Sequence, residues 1–178
     1  MTLGDRLLMV RNLDNFAEVH RAAGDARAAA QCYGEAIDIC RGLDSPGMLA
    51  IVACNFARLL ITQGQSESAR AHLQESLVVA RAHANFGMNH HLLEVSAGLA
   101  AVRDVPLRAA RLNGAAASRL HETGARREPV DAAFIDPLIA WSRAAAGEPG
   151  FDDAEQAGRA LRRDAAMTEL ESWLATPA

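Results

Sequence analysis

The side chains best able to do chemistry here are six histidines, three cysteines and a few acidic pairs. His90 and Glu94 are four residues apart, which places both on one face of a helix. A zinc ion would need a third ligand, such as His83 or a nearby Asp or Cys, and there is no His-Glu-x-x-His segment to start from. No serine lies in a Gly-x-Ser-x-Gly elbow, and no Cys-His arrangement is signalled. A phosphate-binding Gly-x-x-x-x-Gly-Lys-Ser/Thr loop is impossible, because all 18 basic residues are arginine. Asp152 and Asp153 fall at a helix start, where the helix dipole accounts for two acids. The residues therefore predict no catalysis, no metal and no cofactor, and they leave the histidines to cap helices or line a groove.

Charge and hydropathy narrow the partners. The net charge of −4 argues against direct nucleic-acid contact by this region. Arginines 103, 108, 111, 119, 126 and 127 form a locally basic stretch, but Asp104, Glu122 and Glu128 interrupt it, so a solvated face is expected. No apolar run approaches the roughly 18 residues of a membrane span, and no basic start leads into an apolar stretch. A cytoplasmic chain with Cys32, Cys40 and Cys54 as reduced thiols on apolar helix faces is the expectation. Alanine makes up about a fifth of the chain, and with the Gly and Arg bias it suggests a GC-rich bacterial source.

What positions these residues is a repeat. "NFAEVHRAAGDARAAAQCYGEAI" (15–37) aligns without a gap on "NFARLLITQGQSESARAHLQESL" (55–77), an offset of 40. A second step of 40 brings Ala97 under Ala57, Asp104 under Gly64 and Ala109 under Ala69. Each copy reads as a helical hairpin turning at Gly24, Gly64 or Asp104, residues suited to the left-handed conformation that ends a helix. Small residues face each other across the turn: Ala17 with Ala29, Ala57 with Ala69, Ala97 with Ala109. The segments "LGDRLLM" (3–9), "LDSPGML" (43–49) and "HANFGMN" (83–89) repeat at the same offset. The chain therefore starts at a junction between repeats, as a piece of a longer array would.

This pattern resembles the tetratricopeptide family over roughly residues 3 to 124. The family's large and small positions fall on Leu13, Ala17, His20, Ala29, Tyr33 and Ala36. They recur on Ala53, Ala57, Leu60, Ala69, Leu73 and Ser76, then on Leu93, Ala97, Ala100, Ala109, Asn113 and Ala116. The usual repeat has 34 residues, so each copy here needs longer helices or linkers. The resemblance implies an all-α, right-handed superhelix of three hairpins (about 3–42, 43–82 and 83–124), with C-terminal capping helices over 126–178, as one domain. Asn113 stands where Tyr33 and Leu73 supply bulk, which marks the helix at "AARLNGAAASRL" (109–120) as the transition from array to cap.

In the last third, "EPVDAAFIDPLIAWSRAAAG" (128–147) reads as a helix that Pro137 kinks or splits. "FDDAEQAGRALRRDAAMTELESWL" (151–174) reads as a single helix capped by Asp152 or Asp153, with Met167, Leu170, Trp173 and Leu174 as its apolar stripe.

If the hairpins stack as tetratricopeptides do, their first helices line a concave groove. The resemblance projects groove positions onto Arg11, Asp14, Glu18 and Arg21 in the first copy. In the second they are Ile51, Cys54, Arg58, Ile61 and Thr62, and in the third His91, Glu94, Gly98, Ala101 and Val102. A surface mixing both charge signs around an apolar centre suits an extended or helical peptide of a protein partner. The order of "RAARLNGAAASRLHETGA" (108–125) and "GFDDAEQAGRALRRDAA" (150–166) is similar to the C-terminal region of bacterial LuxR-type, ATPase-coupled transcriptional regulators. That resemblance implies a signal-sensing array. The remaining readings are a small-molecule effector domain with a pocket near Trp141 and a self-associating adaptor that forms a homodimer.

Overall fold

The computed structural model describes residues 3–82 and 87–176; His83 and the start of the third linker segment lie outside them. Two compact units divide the chain, Met1–His83 and Ala84–Ala178. Among the described residues every regular element is a helix, as the all-α, tetratricopeptide-like expectation requires.

The first unit holds α1 (Leu3–Ala22), α2 (Ala26–Gly42), α3 (Pro46–Thr62) and α4 (Ser66–Ala82). α1 packs on α2, α3 on α4, and α2 on α3. Gly24 and Gly64 turn their hairpins at φ of 80° and 72°. In the first turn the Gly24 amide donates to the Arg21 carbonyl and the Asp25 amide to His20; in the second, Gly64 donates to Ile61 and Gln65 to Leu60. The same pair of bonds recurs between hairpins, from Asp44 to Arg41 and from Ser45 to Cys40, with Asp44 at φ 49°. Each turn is thus only three residues long, so the length beyond the usual repeat lies in the helices. The core gathers Tyr33, Ala36, Ile37 and Cys40 of α2 against Val10 and Ala17 of α1 and Val52 and Leu59 of α3.

The second unit holds α5 (Asn89–Val102), α6 (Pro106–Thr123), α7 (Pro129–Ala146), α8 (Glu148–Arg159) and α9 (Arg163–Ala175). α5 and α6 form the third hairpin. Asp104 turns it at φ 57°, with Asp104 donating to Ala101 and Val105 to Ala100, which repeats the bonds of the first two turns. The side chain costs more there than glycine would, and aspartate is among the residues that tolerate the left-handed region. All six alanines of the hairpin seams are fully buried. α7 packs on α5 and α6, and α8 and α9 pack on α6.

Three expectations for the last third need correction. Residues 151–174 form two helices, α8 starting at Glu148 with Pro149 in its first turn, and α9 starting at Arg163. The acids at 152 and 153 therefore lie inside α8 and cap nothing. The break at 160–162 has a tertiary cause, since Arg119 reaches from α6 and donates to the Leu161 carbonyl at 3.2 Å. Of the two outcomes expected at Pro137, a kink or a split, the split does not occur, because α7 continues through it. Trp141 is 46% exposed, and Trp173 is half-buried beneath the Arg103 guanidinium, so neither anchors the core. Phe134, Ile135, Phe151, Met167, Leu170 and Leu174 do.

Backbone approach explains the low bulk of α6. A Cβ on Gly114 would sit 2.1 Å from the Glu155 carbonyl oxygen, and one on Gly158 would sit 1.9 Å from that of Arg111. α6 and α8 thus cross with their main chains touching, which only glycine allows at both positions. Asn113, beside this crossing, replaces apolar bulk with a hydrogen bond: its Nδ2 donates to Glu155 Oε1 at 2.8 Å. Gly114→Ala is expected to lower the stability of the second unit by about 3 kcal/mol. Gly34→Ala, inside α2 with open space around it, should raise stability by about 0.5–1 kcal/mol. Urea unfolding of the two variants, followed by circular dichroism, reads the opposite signs.

Candidate interaction site

In the first unit, α1, α2 and α3 bring together a polar network on an otherwise apolar seam. Glu18 lies at its centre. Arg21 Nη2 donates to Glu18 Oε2 at 2.8 Å, one turn away on the same helix. Arg58 Nη2 of α3 contacts the same oxygen at 2.8 Å, and the Tyr33 hydroxyl of α2 donates to Oε1. One turn earlier on α1, Asp14 accepts two hydrogen bonds from Asn55 Nδ2, at 3.0 and 3.2 Å. Arg58 is only 3% exposed, and its charge is compensated by contact with Glu18 and by the nearby Asp14.

Two acids on one helix, both pushed up by burial, end with opposite net shifts. Burial alone would raise Glu18, but the Arg21 hydrogen bond, the Arg58 charge and the Tyr33 hydroxyl outweigh it and hold Glu18 below its ordinary value. For Asp14, burial dominates over the Asn55 hydrogen bond, and the neighbouring Glu18 charge adds to it, so its value is raised. Burial and the Glu18 carboxylate push Tyr33 upward, which keeps its hydroxyl a donor. Burial and Asp14 raise the Cys40 thiol to about 11, so it is an unreactive core residue. All three cysteines are free thiols.

Of the residues projected onto the groove from sequence, Asp14, Glu18, Arg21 and Arg58 therefore belong to one network. Arg11 and Thr62 are exposed, with the Thr62 hydroxyl donating to the Leu59 carbonyl of its own helix at 2.7 Å, and Ile51 is half-buried. The sequence reading missed Asn55 and Tyr33 as site residues. A signal was available: Glu18 and Arg58 differ by 40 and so are the same repeat position with opposite charges.

His91 and Glu94 lie in the second unit, and both are buried. Arg127 Nε donates to Glu94 Oε2 at 3.0 Å, while its Nη1 donates to Asp136 at 3.2 Å and its Nη2 to Asn113 Oδ1 at 3.4 Å. Burial lowers His90, which keeps it neutral near pH 7 despite Asp131 nearby. The arginine stretch is not merely a solvated face. Arg111 makes a two-pronged contact with Glu169 of α9, with both distances 2.6 Å, and Arg108 adds a third at 3.6 Å. Together with Arg119 and Arg127, these residues tie α6 to the elements that follow it. Among the described residues no group of three His, Cys, Asp or Glu side chains could hold a metal ion, and no helix is long and apolar enough to cross a membrane.

Helical hairpins joined by three-residue turns, with small seam residues and polar groups linking successive first helices, define a repeat scaffold. The comparison with known families agrees: the tetratricopeptide repeat model matches residues 7–82, which spans α1 to α4. That family is a non-catalytic scaffold whose repeats generally mediate protein–protein interaction. No curated protein and no solved structure matches the chain.

The two acids of α1 make a paired prediction. Glu18→Gln removes the carboxylate that contacts both Arg58 and Arg21 and should cost about 2–4 kcal/mol at pH 7. Because Glu18 is lowered in the fold, its contribution is present above its unfolded value of about 4.5 and fades as pH falls through the folded one. The variant and the parent should therefore converge in acid. Asp14 has the reverse sign, since its raised value makes its ionisation a cost of folding as pH rises. Asp14→Asn should change stability at pH 7 by less than about 1 kcal/mol in either direction. Denaturant titrations at pH 7 and near pH 3.5 check both.

Proposed function

We propose that this chain is a protein-interaction and signal-sensing domain that binds a peptide segment of a protein partner along the first helices of its hairpins. The observation that carries the reading is the match of residues 7–82 to the tetratricopeptide repeat, with α1 and α3 in contact as successive first helices. The polar network refines the role of each residue. Glu18 is engaged by Arg21, Arg58 and Tyr33 and Asp14 by Asn55, and these contacts set the geometry of the α1–α3 surface. Glu94 is likewise buried against Arg127, and with His91 it supports the second unit. Partner contact then falls to the reachable side chains Arg11 and Thr62, with the half-buried Ile51. Such a surface accepts an extended or helical segment carrying an acidic group for Arg11 and an apolar one for Ile51.

The setting we propose is the C-terminal sensing array of a bacterial LuxR-type, ATPase-coupled transcriptional regulator, acting in the cytoplasm without a cofactor and without touching nucleic acid itself. Support comes from the resemblance of residues 108–125 and 150–166 to that region. The genomic reading frame upstream of Met1 tests the setting: a nucleotide-binding and a DNA-binding domain are expected there, and an upstream stop codon would point to a stand-alone adaptor. An effector pocket near Trp141 has little support, because that side chain is nearly half exposed.

Binding itself is testable without knowing the partner. Peptides selected from a random display library against the whole chain should bind with affinities that fall at least about tenfold in an Arg11→Glu, Thr62→Arg variant. Both residues are exposed, so the helical spectrum should not change. Selected peptides that bind the variant as well as the parent would sink the groove assignment.

A further inference from the structure

Four of the five groove positions projected onto the third hairpin, His91, Glu94, Gly98 and Ala101, are buried, and at two of them the covering element is α7. A Cβ on Gly98 would sit 2.6 Å from Cζ of Phe134 and 3.3 Å from Cδ1 of Leu138. Phe134 and Leu138 are one turn apart on α7, so both side chains end on the same notch in α5. One turn before Gly98, Glu94 takes the Arg127 guanidinium at 3.0 Å. Arg127 also reaches Asn113 of α6 at 3.4 Å and Asp136 of α7 at 3.2 Å, so it belongs with the start of α7. A cation seven residues ahead of an aromatic ring thus fits an acid four residues ahead of a glycine.

This covering half of α7 is tied to its unit at few points. It follows a non-helical stretch, 125–128, that begins at Gly124 in the left-handed conformation. It ends at Pro137, which has no amide to donate, so the Ala133 carbonyl receives no bond from that position of the helix. Between the two, only Phe134 and Ile135 are buried. The second half is held separately, by the Arg143 ion pair with Asp152 and by the same guanidinium over the Phe151 ring of α8 at 4.2 Å. α8 in turn rests on α6 through Gly114 and Gly158, a crossing that those two helices make alone. We infer that residues 127–138 are an exchangeable internal ligand. They swing out about Gly124 and Pro137 and yield the Glu94–Gly98 surface to a partner helix of the same design, with a basic side chain seven residues ahead of an aromatic one. An acidic segment is refused there by Glu94, and a wholly apolar one would bury Glu94 with no cation in the place of Arg127. The inference rests on the first helices being the binding face. It adds α5 to that face, for a segment of opposite charge to the one Arg11 accepts.

Hydrogen exchange on the parent chain reads the opening. The amides of Phe134, Ile135 and Asp136 should open at least about a hundredfold more readily than those of Trp141, Ser142 and Arg143 in the same helix. Equal protection in the two halves overturns the hinge, and this measurement needs no variant. A labelled peptide of residues 125–140 is the probe for the vacated surface. The whole chain carrying Phe134→Ser and Leu138→Ser should bind it at least about tenfold more tightly than the parent, in which the tethered copy competes at a roughly millimolar effective concentration. Adding Gly98→Val to that chain, or Arg127→Glu to the peptide, should remove most of the binding. A peptide that binds the parent and the released chain alike, or that ignores both changes, overturns the exchange. The display-library peptides report on Arg11 and Thr62 instead. Their failure with the 125–140 peptide still bound leaves the α5 site standing, and the reverse result removes the α5 site alone.

Discussion

Two helices can approach only as closely as the side chains at their crossing permit, and this chain is organised around that limit. The hairpins use alanine at both sides of the seam, so each pair closes with one methyl group from either helix. The α6–α8 crossing goes further and removes the side chains altogether at Gly114 and Gly158. Gly98 plays a related part, with no side chain where the Phe134 ring of α7 comes down on α5. Dispersion contacts between such closely spaced backbones replace the apolar area that large side chains would otherwise bury. A chain with few aromatic residues can build a core in this way, provided that almost every small residue is in the right place.

Close helices bring polar groups near one another as well, and the first unit uses that proximity selectively. The carboxylate of Glu18 is surrounded by two guanidinium groups and a phenol, and these overcome its burial. For Asp14 the Asn55 amide and the more distant Arg58 charge do not offset burial, and its value stays raised. The asymmetry follows from the repeat: position 18 meets its opposite-signed equivalent Arg58 in the next copy, whereas position 14 meets Asn55. Electrostatics here therefore serves to hold successive first helices in register, and the reachable charges at the margin remain for recognition. In the second unit Arg111, Arg119 and Arg127 do the corresponding work between α6 and the helices beyond it.

Local geometry was readable in the amino-acid sequence wherever it rests on a residue's own backbone preference. Gly24, Gly64 and Asp104 marked the three hairpin turns, and the alanine pairs marked the seams, because turn conformation and small volume are properties of single residues. The break between α8 and α9 was not readable. "GRALRRDAA" is an adequate helix by propensity, and the stop arises from the α6–α8 crossing and from Arg119 taking the Leu161 carbonyl, both contacts between residues far apart in the chain. The candidate site was legible by position and not by availability. Register placed Glu18, Arg58 and Glu94 on first helices, but whether a charge is free or already paired depends on its neighbours in space.

The same distinction bears on the relation between α1 and α3. Their outer stripes, Leu8, Phe16 and Val19 in α1 and Met48, Phe56 and Leu59 in α3, are near copies in sequence, so composition alone would assign both the same fate. One is covered by α2 and the other is not, and the difference in residue type falls at a single place, Val52 against Asn12. A valine suits a seam that the chain itself closes, because burial there is obligatory and needs no discrimination. Val52 thus belongs to a contact that the unit closes by itself, whereas Asn12 lies on an exposed face.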